Sequence, residues 1–166
     1  VSIMKDIKKD YPDCRLHILG DGDERAESED LVKKYGIQNN VVFYGNVPRA
    51  NLLKAVQECD AFVFPSLREG APWSLLEAMA FEKPIVAYDL NGMHDTLSPE
   101  SAILVNIDGK TPSEAKDAFW VGMQKLLCMS QTEKNRMGLA ARKRLETVHS
   151  AAGVKNYIQT VIDSIV

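Results

Sequence analysis

Glu69 and Glu77 are the residues of this sequence whose setting most invites a chemical role. They lie in the segment FPSLREGAPWSLLEAMA, residues 64–80, whose second half is apolar and helical in character. Neither the residue four before Glu77 nor the residue four after it is a cation, so a helix offers it no ion pair. Glu77 could face water beside Ser74, or it could face a cleft. In a cleft its two oxygens would accept hydrogen bonds from a pair of adjacent ligand hydroxyls.

The residues between the two glutamates predict an anion site at the start of a helix. Pro72 suits the first helical position, where its missing N–H group costs nothing. The N–H groups of Trp73, Ser74 and Leu75 would then be unpaired donors of the first turn, and together with the helix dipole they suit a phosphate. Gly70 would let a ligand approach the backbone closely. This arrangement fits a sugar attached to a nucleotide diphosphate, and its alternative is an ordinary strand–loop–helix turn.

An alternation of strands and helices surrounds this segment. Apolar runs predict strands at 15–19, 41–44, 61–64, 84–88 and 102–105. Helical patterns predict helices at 1–11, 24–35, 49–59 and 73–81, and two or three more from about residue 112. Because the strands lack clean alternation and are separated by helices, the pattern predicts an α/β fold. We expect a doubly wound, mostly parallel sheet covered on both faces, with a helical C-terminal tail.

Four loops follow predicted strands, at 20–22, 45–47, 65–72 and 89–95. The carboxyl ends of parallel strands meet at one edge of a sheet, and ligands of such sheets bind there. We therefore expect these four loops to share one edge and to contain the binding site.

The composition narrows the classes of function. With 166 residues, 45% of them hydrophobic, and a formal charge of -3, the chain suits one domain with one core and argues against a nucleic-acid partner. Cys14, Cys59 and Cys128 are widely spaced, so we expect reduced core cysteines and no zinc site. No apolar run reaches transmembrane length and no leader is visible. These features predict a cytoplasmic protein, and the helical opening VSIMKDIKKDYPDC suggests a piece of a longer one.

Residues 65–87, PSLREGAPWSLLEAMAFEKPIVA, resemble the signature of GT-B-fold glycosyltransferases of family 4. The family pattern is Pro-Ser-x-x-Glu-Gly-x-Pro, then Leu-Leu-Glu-Ala-Met-Ala and a Pro-Val-Val-Ala strand. The resemblance continues in YPDCRLHILGDGDE, in VVFYGNVPRANLLKAVQECDAFVFPS and in DLNGMHDTL, which is similar to a Gly-Gly-x-x-Glu loop. Because several motifs fall in the right order over residues 10–105, the sequence is identified as the Rossmann-like donor-binding half of a GT-B fold.

The resemblance implies a retaining hexosyltransferase that takes its sugar from a nucleotide-diphosphate sugar. Glu77 would hold the ribose hydroxyls, and Glu69, the catalytic candidate, would contact hydroxyls of the transferred sugar. Loop N–H groups would hold the distal phosphate, and residues 45–47 would lie against the base. The leaving diphosphate would help to deprotonate the acceptor, so neither a dedicated base nor a metal or cofactor is expected. The substrate-binding candidates are Gly45, Asn46, Val47, Ser66, Glu69, Gly70, Ala71, Pro72, Trp73, Ser74, Leu75 and Glu77.

Departures from the family pattern qualify this expectation. The pattern's first strand, with its Gly-Arg-x-x-x-x-Lys-Gly loop, and its N-terminal acceptor domain have no counterpart here. We therefore expect residues 1–166 to form a single nucleotide-sugar-binding domain that is inactive alone. Its sheet would either keep a gap or close into the order 2-1-3-4-5. The acceptor, a glycan or a lipid-linked glycan, would be bound by the missing domain, and a lipid-linked acceptor would put the parent enzyme at the inner membrane face.

Smaller departures concern single residues. Asn91 replaces the first Gly of the Gly-Gly loop, Asp95 replaces its Glu, and Glu82 replaces a usual Gly. Trp73 is bulky for its position and would either narrow the donor site or cap the core. His94 belongs to the same loop as Asp95, and a solvated histidine is expected there.

Two other classes of function are left open. A sugar-nucleotide epimerase-like domain would need acid and base side chains around the sugar, and only Glu69, His94 and Asp95 could supply them. A non-catalytic doubly wound binding module would bind no nucleotide and would leave Glu77 without a role. His17 is expected to be a core or edge residue of its strand, and His149 a surface residue.

Overall fold

The structure, a computed structural model, describes residues 1–67, 73–90 and 93–149. Its strands are β1 Leu16–Leu19, β2 Val41–Gly45, β3 Phe62–Phe64, β4 Ile85–Asp89 and β5 Ile103–Asn106. Its helices are α1 Met4–Asp10, α2 Arg25–Lys34, α3 Arg49–Glu58, α4 Trp73–Ala80, α5 Met93–Thr96, α6 Pro112–Cys128 and α7 Gln131–Arg144, and a π-helical turn, Leu145–His149, follows α7. Strands and helices alternate through most of the chain, as the sequence predicts for an α/β fold.

The chain divides into two compact units, residues 1–54 and residues 55–166. In the first unit β1 and β2 pair in parallel, with Leu16 opposite Val41. Asn40 fixes the start of this pair: its buried side-chain NH₂ group donates to the carbonyls of Pro12 (2.8 Å) and Cys14 (3.0 Å), and its backbone carbonyl accepts from the N–H group of Leu16 (2.8 Å). A buried amide that is satisfied in this way stabilises the loop before β1 as well as the strand.

The second unit is built on a three-stranded parallel sheet in the order β3-β4-β5. Strand β4 is central, and Ile85 to Tyr88 are all buried, which explains why this strand shows no alternation of apolar and polar residues. Helix α6 packs closely on the sheet at Gly122, where an added Cβ atom would lie 2.7 Å from a methyl group of Val105. Only glycine allows this helix so near the strands.

The order of the sheets answers a question that the sequence leaves open. Within the described ranges, β1 and β2 form one sheet and β3, β4 and β5 form another, with no backbone ladder between them. The five strands of the described residues therefore do not form the single continuous order 2-1-3-4-5.

Most predicted elements are confirmed to within a few residues, three expectations are wrong, and one of the two roles left open for Trp73 is removed. Residues 93–96 form the short helix α5, where a loop was expected. Cys128 is exposed and Cys14 and Cys59 are only partly buried, so the cysteines are not core residues, although all three are free thiols. Trp73 is 72% exposed and does not cap the core. His149 is half-buried, with its Nε2 atom inaccessible to solvent, so it is not a surface residue.

Among the helices of the described residues, none is both long enough and apolar enough to cross a membrane.

Candidate functional site

Helix α4 carries the candidate residues that the structure places most clearly. Leu75, Ala78 and Met79 are completely buried and anchor one face of the helix. Trp73 and Glu77 are four residues apart, so they lie on a common face, about 6 Å apart along the axis. A strongly exposed indole and a carboxylate thus share one side of a helix that its other side holds rigidly.

Glu77 is half-buried, and its Oε1 oxygen is inaccessible to solvent. A carboxylate in this setting does not belong to a solvated helix face, which was one of the two expectations for it. Buried charged oxygens are retained where hydrogen bonds or a ligand compensate the loss of hydration. The Glu77 carboxylate is therefore shielded from water on one side, where it packs against the protein.

The start of α4 suits an anion. Strand β3 ends at Phe64, so the segment that leads into α4 leaves the sheet at the carboxyl edge of its strands. The first turn of α4 contains no acidic residue, and no side-chain charge there competes for the positive end of the dipole. Ser74 is half-buried and Leu75 is buried, so their N–H groups are held in place by the packed face of the helix.

Part of the predicted site is outside the described residues. Arg68, Glu69, Gly70, Ala71 and Pro72 fall there, and so do Asn91 and Gly92. Before the first of these gaps, Ser66 is half-buried and Leu67 is 58% exposed.

The carboxyl end of β4 supplies a second group of polar residues. Asp89 is the last residue of the strand, and its Oδ1 atom lies 3.3 Å from Nδ1 of His94 in α5. The His94 side chain is 68% exposed, as expected of a solvated histidine, and Asp95 beside it is exposed as well. Because β3 and β4 are parallel, these residues and the start of α4 lie at the same edge of the second sheet.

The three residues expected to contact a base, Gly45, Asn46 and Val47, lie in the first unit. Gly45 is buried, with φ +63°, and its carbonyl accepts a hydrogen bond of 2.8 Å from the N–H group of Gly20. The loops after β1 and β2 therefore share one edge, as predicted. Asn46 is exposed and Val47 is half-buried, so both can be reached by a ligand.

Arg25 explains much of the shape of this edge. Its guanidinium contacts Asp21 (3.3 Å) and Glu29 (2.8 Å) and lies over the ring of Phe43. The hydrogen bond to Glu29 raises the pKa of Arg25, which is charged at any physiological pH. A Cβ atom on Gly45 would come within 2.8 Å of the flexible Arg25 guanidinium, and the φ of +63° is what favours glycine at this position. This cluster was not among the predicted site residues, although Arg25 lies four residues from each carboxylate in the sequence.

A shallow cavity of about 310 Å³ opens beside the same loop. Its walls include Asp21, Arg25 and Phe43. The cavity is an open depression at the carboxyl edge of the first sheet.

Two further observations concern a cysteine thiol and the grouping of possible metal ligands. Burial raises the pKa of the Cys59 thiol, which disfavours a reactive thiolate there. Among the described residues, no three or more His, Cys, Asp or Glu side chains lie close enough together to hold a metal ion.

Comparison with protein families gives a direct match. Residues 1–144 match the model of the family described as glycosyl transferases group 1. Among similar proteins is the GDP-mannose-dependent alpha-mannosyltransferase of Mycolicibacterium smegmatis, 30% identical over 132 residues, which cover 79% of this chain and 31% of that protein. The matches cover between 22% and 38% of the curated relatives considered, so the chain spans only a minor part of their length.

Solved structures share the fold at low sequence identity. The C-terminal domain of a glycosyl transferase group 1 family protein from Francisella tularensis superposes with a TM-score of 0.70 and 18% identity, covering 90% of this chain and 77% of that one. The pneumococcal O-GlcNAc transferase in complex with UDP and GlcNAc superposes with a TM-score of 0.79 and 15% identity, covering 99% of this chain and 32% of that one. These similarities confirm the predicted Rossmann-like half of a GT-B fold.

Proposed function

The chain belongs to the glycosyl transferases group 1, and we propose that it is the donor-binding part of a retaining glycosyltransferase. It would take a sugar from a nucleotide-diphosphate sugar for transfer to a glycan or a lipid-linked glycan. The observation that carries the proposal is the partly buried carboxylate of Glu77, one turn inside a helix whose start lies at the carboxyl edge of a parallel sheet.

In this proposal Glu77 accepts hydrogen bonds from the two ribose hydroxyls of the donor. A carboxylate has two oxygens and no donor, which matches two adjacent hydroxyl donors. The partial burial of Glu77 strengthens its hydrogen bonds to the ribose hydroxyls. Hydrogen bonds to a charged group are stronger than those between neutral groups, and they are stronger again where water is excluded.

The donor's distal phosphate is placed at the start of α4. The N–H groups of Trp73, Ser74 and Leu75 would donate to it, with Ser66 and the loop residues Gly70, Ala71 and Pro72 around it. Oriented backbone donors at the positive end of a helix dipole stabilise the charge that develops on a departing diphosphate. Residues 45–47 would lie against the base.

The transferred sugar is placed near Glu69 and near the edge formed by Asp89, His94 and Asp95. During transfer, the bond between the anomeric carbon and the phosphate oxygen breaks. A bond to the acceptor oxygen forms on the same face of the sugar, and the acceptor proton passes to the departing phosphate oxygen. The chain's own contribution is to position the donor and to stabilise the diphosphate.

The remaining features of the parent enzyme follow from the same proposal. An N-terminal domain would hold the acceptor, and the enzyme would work in the cytoplasm, at the inner membrane face if the acceptor is lipid-linked. The fragment alone would bind the donor without transferring its sugar. No metal or organic cofactor takes part.

A titration of the chain with UDP, GDP and ADP, followed by amide NMR shifts, tests the proposal. One similar solved structure contains UDP, and one relative is named as GDP-mannose-dependent, so the three nucleotides are compared directly. We expect one of them to shift the amides of residues 45–47 and 73–77, with equal affinity in EDTA and in Mg²⁺. Glu77→Gln should weaken this binding about 10- to 100-fold, because it removes a hydrogen bond to a charged group.

Asp117→Asn is the matched control, since it makes the same carboxylate-to-amide change at an exposed position of α6. It should leave the affinity unchanged. If no nucleotide binds at millimolar concentration, the proposed function is wrong and the non-catalytic module becomes the better interpretation. Equal binding by wild type and Glu77→Gln would remove Glu77 from the site.

One observation supports a second candidate, an epimerase-like domain. The contact of 3.3 Å between Asp89 and His94 could serve an acid/base pair beside a sugar. Family membership favours the transferase, and incubation of the chain with a nucleotide-sugar decides between them. Recovery of the nucleotide-sugar with one stereocentre of its sugar inverted would support the epimerase.

A further inference from the structure

Two arginines near the end of α7 contact the two helices that carry the candidate residues of the second unit. Arg142 donates from Nη1 to the carbonyl of Ala80, the last residue of α4, at 2.7 Å. Arg144 donates from Nε to the carbonyl of Thr96 and from Nη2 to the carbonyls of His94 and Asp95, each at 2.9 Å. We refer to Arg142 and Arg144 as the arginine clamp.

The clamp completes the hydrogen bonding of the last turn of α4. A helix leaves its last four carbonyls without partners inside the helix. In α4 the first three of them accept backbone N–H groups, at 3.1 Å from Phe81, 3.1 Å from Glu82 and 3.0 Å from Lys83. The fourth, that of Ala80, accepts from Arg142. The end of the helix that carries Glu77 is thus fully bonded, with its final bond supplied by α7.

In α5 the dependence on the clamp is greater. The helix has four residues and therefore four carbonyls, and within the described part of the chain only that of Met93 accepts a backbone N–H group, from Leu97 at 2.7 Å. The other three accept from Arg144. A four-residue helix has little stability of its own, so a guanidinium 48 to 50 residues away in the sequence holds it in place.

The geometry uses properties that are particular to arginine. A planar guanidinium presents several donors in a fixed fork, whereas a lysine ammonium is a flexible point charge. Lys143, between the two clamp residues, is exposed and provides an internal control. A close approach at Gly138 also brings α7 to the end of α4, because a Cβ atom there would overlap the carbonyl of Glu82.

From these contacts we infer that Arg142 and Arg144 are positioning residues of the donor site. Arg142 fixes α4 and through it Glu77. Arg144 fixes α5 and through it His94 and Asp95, the residues placed beside the transferred sugar. This inference rests on the proposed function and deepens it: Arg144 controls how well the chain distinguishes a nucleotide-sugar from the bare nucleotide, without touching either.

The experiment measures the affinities of the full chain for UDP, UDP-glucose, GDP and GDP-mannose, in wild type, Arg144→Gln, Arg144→Lys and Lys143→Gln. We expect Arg144→Gln to weaken binding of the preferred nucleotide-sugar about tenfold, while affinity for its nucleotide changes less than about twofold. Arg144→Lys should recover part of the loss, and Lys143→Gln should equal wild type. A merely structural role would weaken nucleotide and nucleotide-sugar equally.

Amide hydrogen exchange locates the effect without a ligand. In Arg144→Gln the Leu97 amide, which bonds to α5, should exchange faster, while the Phe81 amide at the end of α4 stays protected. Arg142→Gln should give the opposite pattern. If Arg144→Gln does not fold, Arg144→Lys replaces it in the binding and exchange measurements. It should show a smaller selective loss of nucleotide-sugar affinity and a smaller increase in exchange at the Leu97 amide.

The outcomes separate the two proposals. Wild type that binds none of the four compounds overturns the proposed function, and with it the role of the clamp in donor binding. If wild type binds, and Arg144→Gln and Lys143→Gln show the same ratio of nucleotide-sugar affinity to nucleotide affinity, the inference alone is overturned. Unchanged exchange of the Leu97 amide would show that Arg144 does not hold α5.

Discussion

At Glu82 the backbone takes the left-handed conformation, with φ +56°, that usually belongs to glycine. The reason is the end of α4. The N–H group of Lys83 bonds to the carbonyl of Ala78, and that of Glu82 to the carbonyl of Met79, which is the Schellman pattern of helix termination. This pattern requires a left-handed residue at the position of Glu82, and that requirement explains the glycine of the family pattern.

Replacing this residue should stabilise the protein. We predict that Glu82→Gly raises the free energy of unfolding by about 0.5–1 kcal/mol. Glycine removes the steric cost of the left-handed conformation. Part of this gain is offset because glycine has more conformational freedom to lose when the chain folds. The side chain is exposed, so its removal sacrifices little packing. Urea unfolding followed by circular dichroism measures the change.

Glu82→Ala is the matched control, because it removes the carboxylate and keeps the Cβ atom that causes the strain. It should not stabilise the protein. A gain as large as that of Glu82→Gly would show that charge, and not backbone conformation, is responsible.

Single residues differ in how far the sequence reveals their roles. Glu77 could be singled out because it stands in an apolar helical segment with no cation four residues before or after it, and the structure does find it partly buried. Asn40, Arg142 and Arg144 could not be found in this way, since their partners lie 26 to 62 residues away in the sequence. Polar residues that act through distant carbonyls leave no local pattern.

Among the elements, α6 and α7 show how local sequence sets a boundary. Each begins with a capping box: Thr111 with Glu114, and Ser130 with Glu133, bonded reciprocally through side chain and backbone. The spacing is visible in the sequence and gives both helix starts. The end of α7 and the π-helical turn after it have no comparable signal.

The capping box of α7 predicts a dependence of stability on pH. The hydrogen bond from the Ser130 hydroxyl, followed by that from its backbone N–H group, lowers the pKa of Glu133 below its ordinary value. A group whose pKa is lowered by folding stabilises the folded state above its unfolded pKa, and that contribution disappears as pH falls through the folded pKa. We therefore expect stability to decrease as pH falls below about 4.5.

Urea unfolding at pH 7, 5, 4 and 3 checks this, with Glu133→Gln for comparison. The variant should be less stable than wild type at pH 7, and the difference should shrink as the wild-type carboxylate is protonated. A difference that stays constant from pH 7 to pH 3 would show that the ionised form of Glu133 is not what stabilises the helix start.

The boundaries of strands were predictable for a different reason. Strand β4 is buried along four consecutive residues, and the apolar run between Lys83-Pro84 and Asp89 is short and rich in β-formers, which favours a strand. Helix α5 was missed because its four residues carry no apolar period and depend on Arg144 for their carbonyl partners. An element held mainly by another element cannot be found from its own residues.

At the scale of the whole molecule, the fold class could be predicted because it depends on the alternation of strands and helices, which is local. The order of the strands could not be decided from the sequence. Strands β1 and β3 are both short and apolar, and nothing in either sequence shows whether the two pair with each other. The candidate site stands between these cases: its helix and its glutamate were predicted, while the arginine clamp that supports them required the structure.

The central claim, that Glu77 binds the ribose of a nucleotide donor, is tested most directly by pairing the protein variant with a change in the ligand. The affinity of wild type and of Glu77→Gln is measured for the preferred nucleoside diphosphate and for its 2′,3′-dideoxy analogue. If Glu77 receives the ribose hydroxyls, wild type should lose about tenfold or more on their removal, and Glu77→Gln should lose much less. Equal losses in the two proteins would contradict the claim, because the hydroxyls would then be recognised elsewhere.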